Sequence, residues 1–176
     1  MPTSPHPSAW VYQADEAELS GGARIESRNQ GYTGQKGYVG GYFNSSTAAT
    51  TFRVEVPADG EYYISLRYAA GAAGNWNADR VVGLSINNEE VKHVKFKSVS
   101  QSWDVWSECV QKVQLKAGLN TITYMCLTED DNSDCINLDR LSVWPHDPNP
   151  TITNIVFDKS AYIVSKNYTI QSKIFQ

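Results

Sequence analysis

Short runs in which apolar and polar residues alternate, broken by turn residues about every ten positions, recur along this chain and hold it to an all-β fold. Phe52, Val54 and Val56 form one such set; Ile64, Leu66 and Tyr68 form a second; Leu84 and Ile86, then Ile122, Tyr124 and Cys126, form two more. Successive strand residues point to opposite sides of a sheet, so each set presents a single apolar face. Between them stand Pro57-Ala58-Asp59-Gly60, Asn87-Asn88-Glu89 and Lys116-Ala117-Gly118-Leu119-Asn120, whose residue types reverse a chain. Helical periodicity is almost absent, and neither a strand–helix–strand rhythm nor a phosphate-loop pattern occurs. The expected fold is an antiparallel sandwich or barrel.

The chain has 176 residues, enough for one well-buried domain and a remnant. With 41% hydrophobic and 19% charged residues it is globular rather than disordered. A formal charge of -4 without any basic run or stripe makes nucleic acid and anionic membrane poor partners. No apolar stretch approaches the ~20 residues of a membrane span. The start, MPTSPHPSAW, has no charged and apolar signal regions, and residues 1–9 are expected to be an N-terminal tail.

The domain is expected over residues 10–144. It is followed by WPHDPNPT, where Pro145, Pro148 and Pro150 give residues 145–150 a semi-rigid linker composition. Residues 151–176 open a new alternating pattern with too few strands to stand alone, and are expected to begin a following β domain. The alternative is a strand pair packing back on the main domain. Of three cysteines, Cys126 and Cys135 flank the polar run LTEDDNSD and would meet across a hairpin; otherwise all three, Cys109 included, are small buried hydrophobes.

One stretch stands apart chemically. CINLDRLSVW, Cys135 to Trp144, reads as a strand, yet Asp139 interrupts its apolar residues. A buried unpaired carboxylate costs several kcal/mol on an order-of-magnitude scale, so a cation or good donors must meet it.

YQADEAELSGGA, GYTGQKGYVGG, VPADGEYYISLRYA, SWDVWSE, LKAGLNTITY and INLDRLSV follow one another in an order that resembles carbohydrate-binding modules of family 35, relatives of family 6. The likeness covers about Trp10 to Trp144. It implies a β-sandwich of jelly-roll type, no catalysis, a structural calcium ion, and sugar binding by loops at one end. It also implies attachment to secreted, extracellular bacterial enzymes acting on polysaccharides, so the expected partners are a glycan and other domains of the same chain.

The family's calcium positions match Gln13, Asp15 and Asp139 here, with Gln-Ala-Asp replacing the common Glu-Ala-Glu. Gln13 and Asp15 are two apart, hence on one face if the strand continues. Calcium takes 6–8 oxygens at about 2.3–2.6 Å, which an amide, carboxylates and carbonyls of the loop ESRNQGYTG would supply. The alternative pairs Asp139 with Arg24 or Arg140 and leaves no metal.

A sugar ring offers an apolar C–H face and a rim of hydroxyls, so its site needs an aromatic platform and polar groups. Trp103 and Trp106 lie three apart, on opposite faces of an extended segment; the resemblance makes Trp103 the sugar-facing one and Trp106 the core one. Tyr32, on a Gly-flanked loop, is the second platform, and Asn137 a hydroxyl partner. Trp76, within AAGAAGNWNADR, either contacts ligand or folds back as a lid on the core. The acidic run TEDDNSDC is a solvated turn by default; if functional, Asp131 and Asn132 carry it, including through a second calcium for uronic acids.

Three functions compete: a docking module, a glycosidase, and a structural spacer. A glycosidase needs paired carboxylates about 5–5.5 or 6.5–9.5 Å apart in a pocket, and no motif supplies them. With no lysine or arginine cluster evident in the loops, a neutral glucan is the expected ligand.

Overall fold

The computed structural model describes residues 9–43, 45–71, 79–127 and 136–146. Trp76, Asp131, Asn132, Cys135, most of the expected linker and all of 151–176 lie outside them, as does the N-terminal tail up to Ser8.

The first strands are short: β1 (Trp10–Gln13), a 3-10 turn (Ala14–Glu16), β2 (Glu18–Ser20), β3 (Arg24–Glu26) and β4 (Tyr38–Gly40). Longer strands follow: β5 (Ala49–Val56), β6 (Gly60–Ala69), β7 (Arg80–Ile86), β8 (Lys92–Phe96), β9 (Ser107–Leu115), β10 (Gly118–Met125) and β11 (Asn137–Pro145). They form two sheets, one in the order β3-β4-β11-β6-β9 with β1 also on β11, the other β2-β5-β10-β7-β8. All pairings are antiparallel. The protein is an all-β sandwich of jelly-roll type.

The alternation read from sequence builds the interior. Phe52, Val54 and Val56 of β5, Ile64, Leu66 and Tyr68 of β6, and Ile122 and Tyr124 of β10 are buried in one cluster between the sheets. Their polar alternates face out, as on a sheet with one covered face. Asn87 and Asn88 take positive φ of 52° and 60° to reverse the chain after β7, a conformation asparagine tolerates better than most residues.

β11 is the hub of its sheet. β6 runs along one side, while β4 and β1 lie end to end along the other. Between Leu138 and Arg140 the register with β6 slips, inserting Asp139 as an extra residue. Leu138 and Leu141, three apart, thereby both reach the core cluster, and Asp139 is released from it. The strand runs on through Pro145, the first residue of the expected linker, and a proline is tolerated at such a strand end.

Register also lines up a polar row on the outer face of this sheet. Gln13 lies opposite Arg140, Arg140 opposite Arg67, and Arg67 opposite Glu108. Cross-strand partners share a face, so four strands deliver one chain of hydrogen-bonding groups.

Candidate functional site

The segment between β3 and β4, residues 27–37, forms a strap bound to this row. The Thr33 N–H donates to Asp139 Oδ1 at 2.6 Å, and Thr33 Oγ1 lies 2.9 Å from Asp139 Oδ2 and 3.1 Å from Gln13 Oε1. Further along the strap, the Lys36 N–H donates to Asp15 Oδ2 at 2.6 Å. A Cβ on Gly34 would sit 2.2 Å from the Gly37 carbonyl oxygen and 2.7 Å from Asp15 Oδ2, so only glycine allows this approach. Asp15 does not extend β1 as the spacing suggests; it sits in the 3-10 turn. Gln13 and Asp15 both still contact the strap.

Two facts bear on a cation here. The Thr33 hydroxyl has one hydrogen for two acceptor oxygens, and Asp15 Oδ1 is buried with no hydrogen-bond partner. The oxygens of Gln13, Asp15, Thr33 and Asp139 are the donor chemistry a hard divalent ion prefers, so these residues fit calcium. Among the described residues no group of three or more His, Cys, Asp or Glu is placed to hold a metal; here two acids are supplemented by neutral oxygens.

Asp139 also meets arginines. Arg67 Nη1 donates to its Oδ2, and Arg140 Nη1 lies 3.4 Å from the same atom. Arg24, the other arginine considered for this role, pairs instead with Glu26 at 2.7 Å. Asp139 is fully buried, and its charge is matched before any ion arrives.

The sugar candidates divide between two places. A cleft of about 380 Å³ holds Trp103 and Asn137 together with Arg24, Glu26, Arg28 and Phe43. Trp103 is half-buried and rests on Gly71, where a Cβ would lie 2.7 Å from the indole. Asn137 Oδ1 is 3.3 Å from where a Gly40 Cβ would be, on the same wall. Glu26 is held by Arg24 at 2.7 Å and by Arg28 at 2.9 Å. Beneath them Tyr38 is completely buried, and burial raises its phenol pKa more than contact with Arg28 lowers it, so the hydroxyl stays protonated.

Tyr32 is not part of this cleft. Its ring lies 5.7 Å from that of Tyr38, which meets Trp106 edge-on at 5.5 Å. Trp106 is not in the core between the sheets either. Its indole N–H donates to the Gln30 carbonyl at 2.7 Å, and the Arg67 guanidinium lies 5.2 Å from its ring. The cause is strand phase: Cys109, Val113 and Leu115 of β9 point inward, so even positions point out, and Trp106 continues that phase.

Arg24, Glu26 and Arg28 were not among the expected site residues, nor was Arg67. The first three stand at alternate positions of ARIESRN, the spacing of one strand face. That spacing brings two arginines to the cleft, Arg24 from β3 and Arg28 from the strap, where the loops alone offered no cluster.

The model of the carbohydrate binding module family 35 matches residues 10–141. A 1,6-α-glucosyltransferase of Sporosarcina globispora is 36% identical over 130 residues, which are 74% of this chain and 10% of that enzyme. A mannan endo-1,4-β-mannosidase of Thermothelomyces thermophilus is 31% identical over 147 residues, 83% of this chain and 27% of the enzyme. This chain thus spans a small part of each relative's length. Among solved structures, a family 35 carbohydrate binding module from Clostridium thermocellum superposes with a TM-score of 0.68 at 31% identity, covering 79% of this chain and 99% of that one. The chain belongs to carbohydrate-binding module family 35, and is a non-catalytic module of the kind found within larger glycan-acting enzymes.

Proposed function

We propose that the module is stabilised by calcium and carries a secreted polysaccharide-active enzyme to a neutral glucan, held against Trp103. The observation that carries this reading is the cleft itself: an indole seated on a glycine, flanked by Asn137 and by a carboxylate between two arginines. An aromatic face takes the C–H side of a pyranose, and Asn137, Arg24, Glu26 and Arg28 address its hydroxyls. The glucosyltransferase relative supports a glucan with 1,6-α linkages. Trp76, Asp131 and Asn132 stay candidate contacts from the sequence alone, and Tyr32 would act from the Trp106 side.

Calcium would be held by Gln13, Asp15, Thr33 and Asp139, and would cross-link the first strand, the last strand and the strap. Sugar binding to so few exposed groups is weak, roughly micromolar to millimolar, or about −4 to −8 kcal/mol. Tethering converts it into a high local concentration of enzyme at its substrate.

A second reading is favoured by one observation: Arg24 and Arg28 side chains are 62% and 76% exposed in the cleft. Guanidinium groups pair bidentately with carboxylates, so a uronic acid is the rival ligand. Calorimetry with isomaltotriose and with glucuronate oligosaccharides, in calcium and then in chelator, separates the two. Trp103→Ala is expected to abolish measurable binding while the domain stays folded, a loss of about 2 kcal/mol or more. Unchanged binding in that variant would remove Trp103 from the site.

A further inference from the structure

The strap that closes over Asp15 and Asp139 is fastened at its other end to the loop that carries Trp103. The Gln30 N–H donates to Asp104 Oδ1 at 2.7 Å, and the Gln30 carbonyl accepts from the Trp106 indole at 2.7 Å. One backbone residue therefore joins both sides of the Trp103–Trp106 segment. The tryptophan loop has a fixed shape of its own: the Asp104 N–H donates to Ser102 Oγ and the Ser102 N–H to Ser100 Oγ, each at 3.1 Å. Gly31, at φ +80°, lets the strap lie on Trp106, since a Cβ there would sit 3.2 Å from the ring and 3.4 Å from the Asp104 carbonyl. Arg67 ties the middle: it donates to the Gly31 carbonyl at 3.0 Å and to Asp139.

We infer that the strap is a mechanical link, with Asp104 as its positioning residue, through which occupancy of the Asp15–Asp139 cradle sets the placement of Trp103. Thr33 and Lys36 register the state of the two carboxylates. Their displacement travels three to six residues along one short segment to Gln30, and from Gln30 across the clasp to Asp104, the neighbour of Trp103. Sites connected in this way influence each other reciprocally: whatever orders the strap for the ion orders the platform for the sugar. The inference rests on the calcium and Trp103 readings above.

The test uses the full chain with calcium alone as the probe. Indole N–H signals are followed by NMR as calcium is added, with Trp103 and Trp106 assigned by single replacement with phenylalanine. Trp103 is expected to shift with calcium in the wild type. In Asp104→Ala the Trp103 shift is lost although calorimetry still registers the ion, because Asp104 touches neither carboxylate. In Asp104→Asn, which keeps an acceptor oxygen for Gln30, the shift returns. A merely structural aspartate would not give that rescue pattern while calcium still binds. A Trp103 signal that responds equally in Asp104→Ala, or stays still in a wild type that binds calcium, overturns the link. Absence of any heat of calcium binding overturns the link together with the calcium reading, whereas normal coupling with no loss of sugar binding in Trp103→Ala sinks the platform reading alone.

Discussion

Asp139 and Glu26 are both carboxylates between two arginines on the same sheet, yet they occupy different electrostatic worlds. The arginines of Asp139, Arg67 and Arg140, have side chains 18% and 8% exposed, and the aspartate is sealed. Those of Glu26, Arg24 and Arg28, reach into water. The same three-charge arrangement is thus a fixed joint in one place and, in the other, a carboxylate only 12% exposed that holds two accessible arginines. The difference comes from covering: the strap lies over Asp139 through Thr33, whereas the cleft beside Trp103 leaves Arg24 and Arg28 open to ligand.

Replacing each acid by its amide is the sharpest way to break that comparison. Asp139→Asn keeps the shape but leaves Arg67 and Arg140, which face each other across the β6–β11 pair, without their shared anion. Uncompensated charge in a buried network is expected to lower stability by about 3–5 kcal/mol, read as a shift of the urea or thermal transition. A change below about 1 kcal/mol, the range of an exposed pair, would mean the cradle is as solvated as the cleft. Glu26→Gln is the counterpart: the Glu26 side chain is itself only 12% exposed but its arginines stay hydrated, so the expected cost to stability is smaller, about 1–3 kcal/mol. Its larger effect falls on sugar retention, because the carboxylate that orients Arg24 and Arg28 is gone. A stability loss equal to that of Asp139→Asn, with retention intact, would reverse the assignment of the two acids.

What the sequence made readable follows the same division. The core strands announced themselves, because Phe52-Val54-Val56 and Ile64-Leu66-Tyr68 alternate without interruption and burial enforces that phase. Asp139 stood out as a conflict within an apolar run, but its resolution as a bulge did not, since the slip exists only in the pairing of β11 with the distant β6. Arg24, Glu26 and Arg28 carry a readable spacing, yet β3 is three residues long, and its single apolar alternate, Ile25, is too little to flag a strand. Trp106 was legible in principle by running the β9 phase back from Val113. The resemblance favoured the opposite orientation, and the strand decided otherwise. Tyr32 reaches Tyr38 by the path of the strap, which no local pattern encodes. Trp103 and Asn137, 34 positions apart in sequence, line one cleft, a proximity that only the folded sheets and loops create.

The last link of the polar row gives the smallest effect and the finest test of how closed this face is. Glu108 accepts from Ser65 Oγ at 2.6 Å and from Arg140 Nη2 at 2.8 Å, with its side chain 14% exposed. Burial raises its pKa above the usual 4.5, outweighing Ser65, Arg140 and Arg67, which all favour the carboxylate. The folded state therefore holds this proton to higher pH than the unfolded chain does. Stability from this group is complete below the unfolded value and is lost as pH rises through the folded one. Glu108→Gln has no proton to lose there. Whatever its offset from the wild type, its relative stability should climb as pH rises from about 4.5 through the next stretch of the scale, then level off. Thermal melts of both proteins from acid to neutral pH measure that difference. A flat or falling difference would show that the arginines, not burial, govern Glu108, and that this end of the row is as open to solvent as the Trp103 cleft.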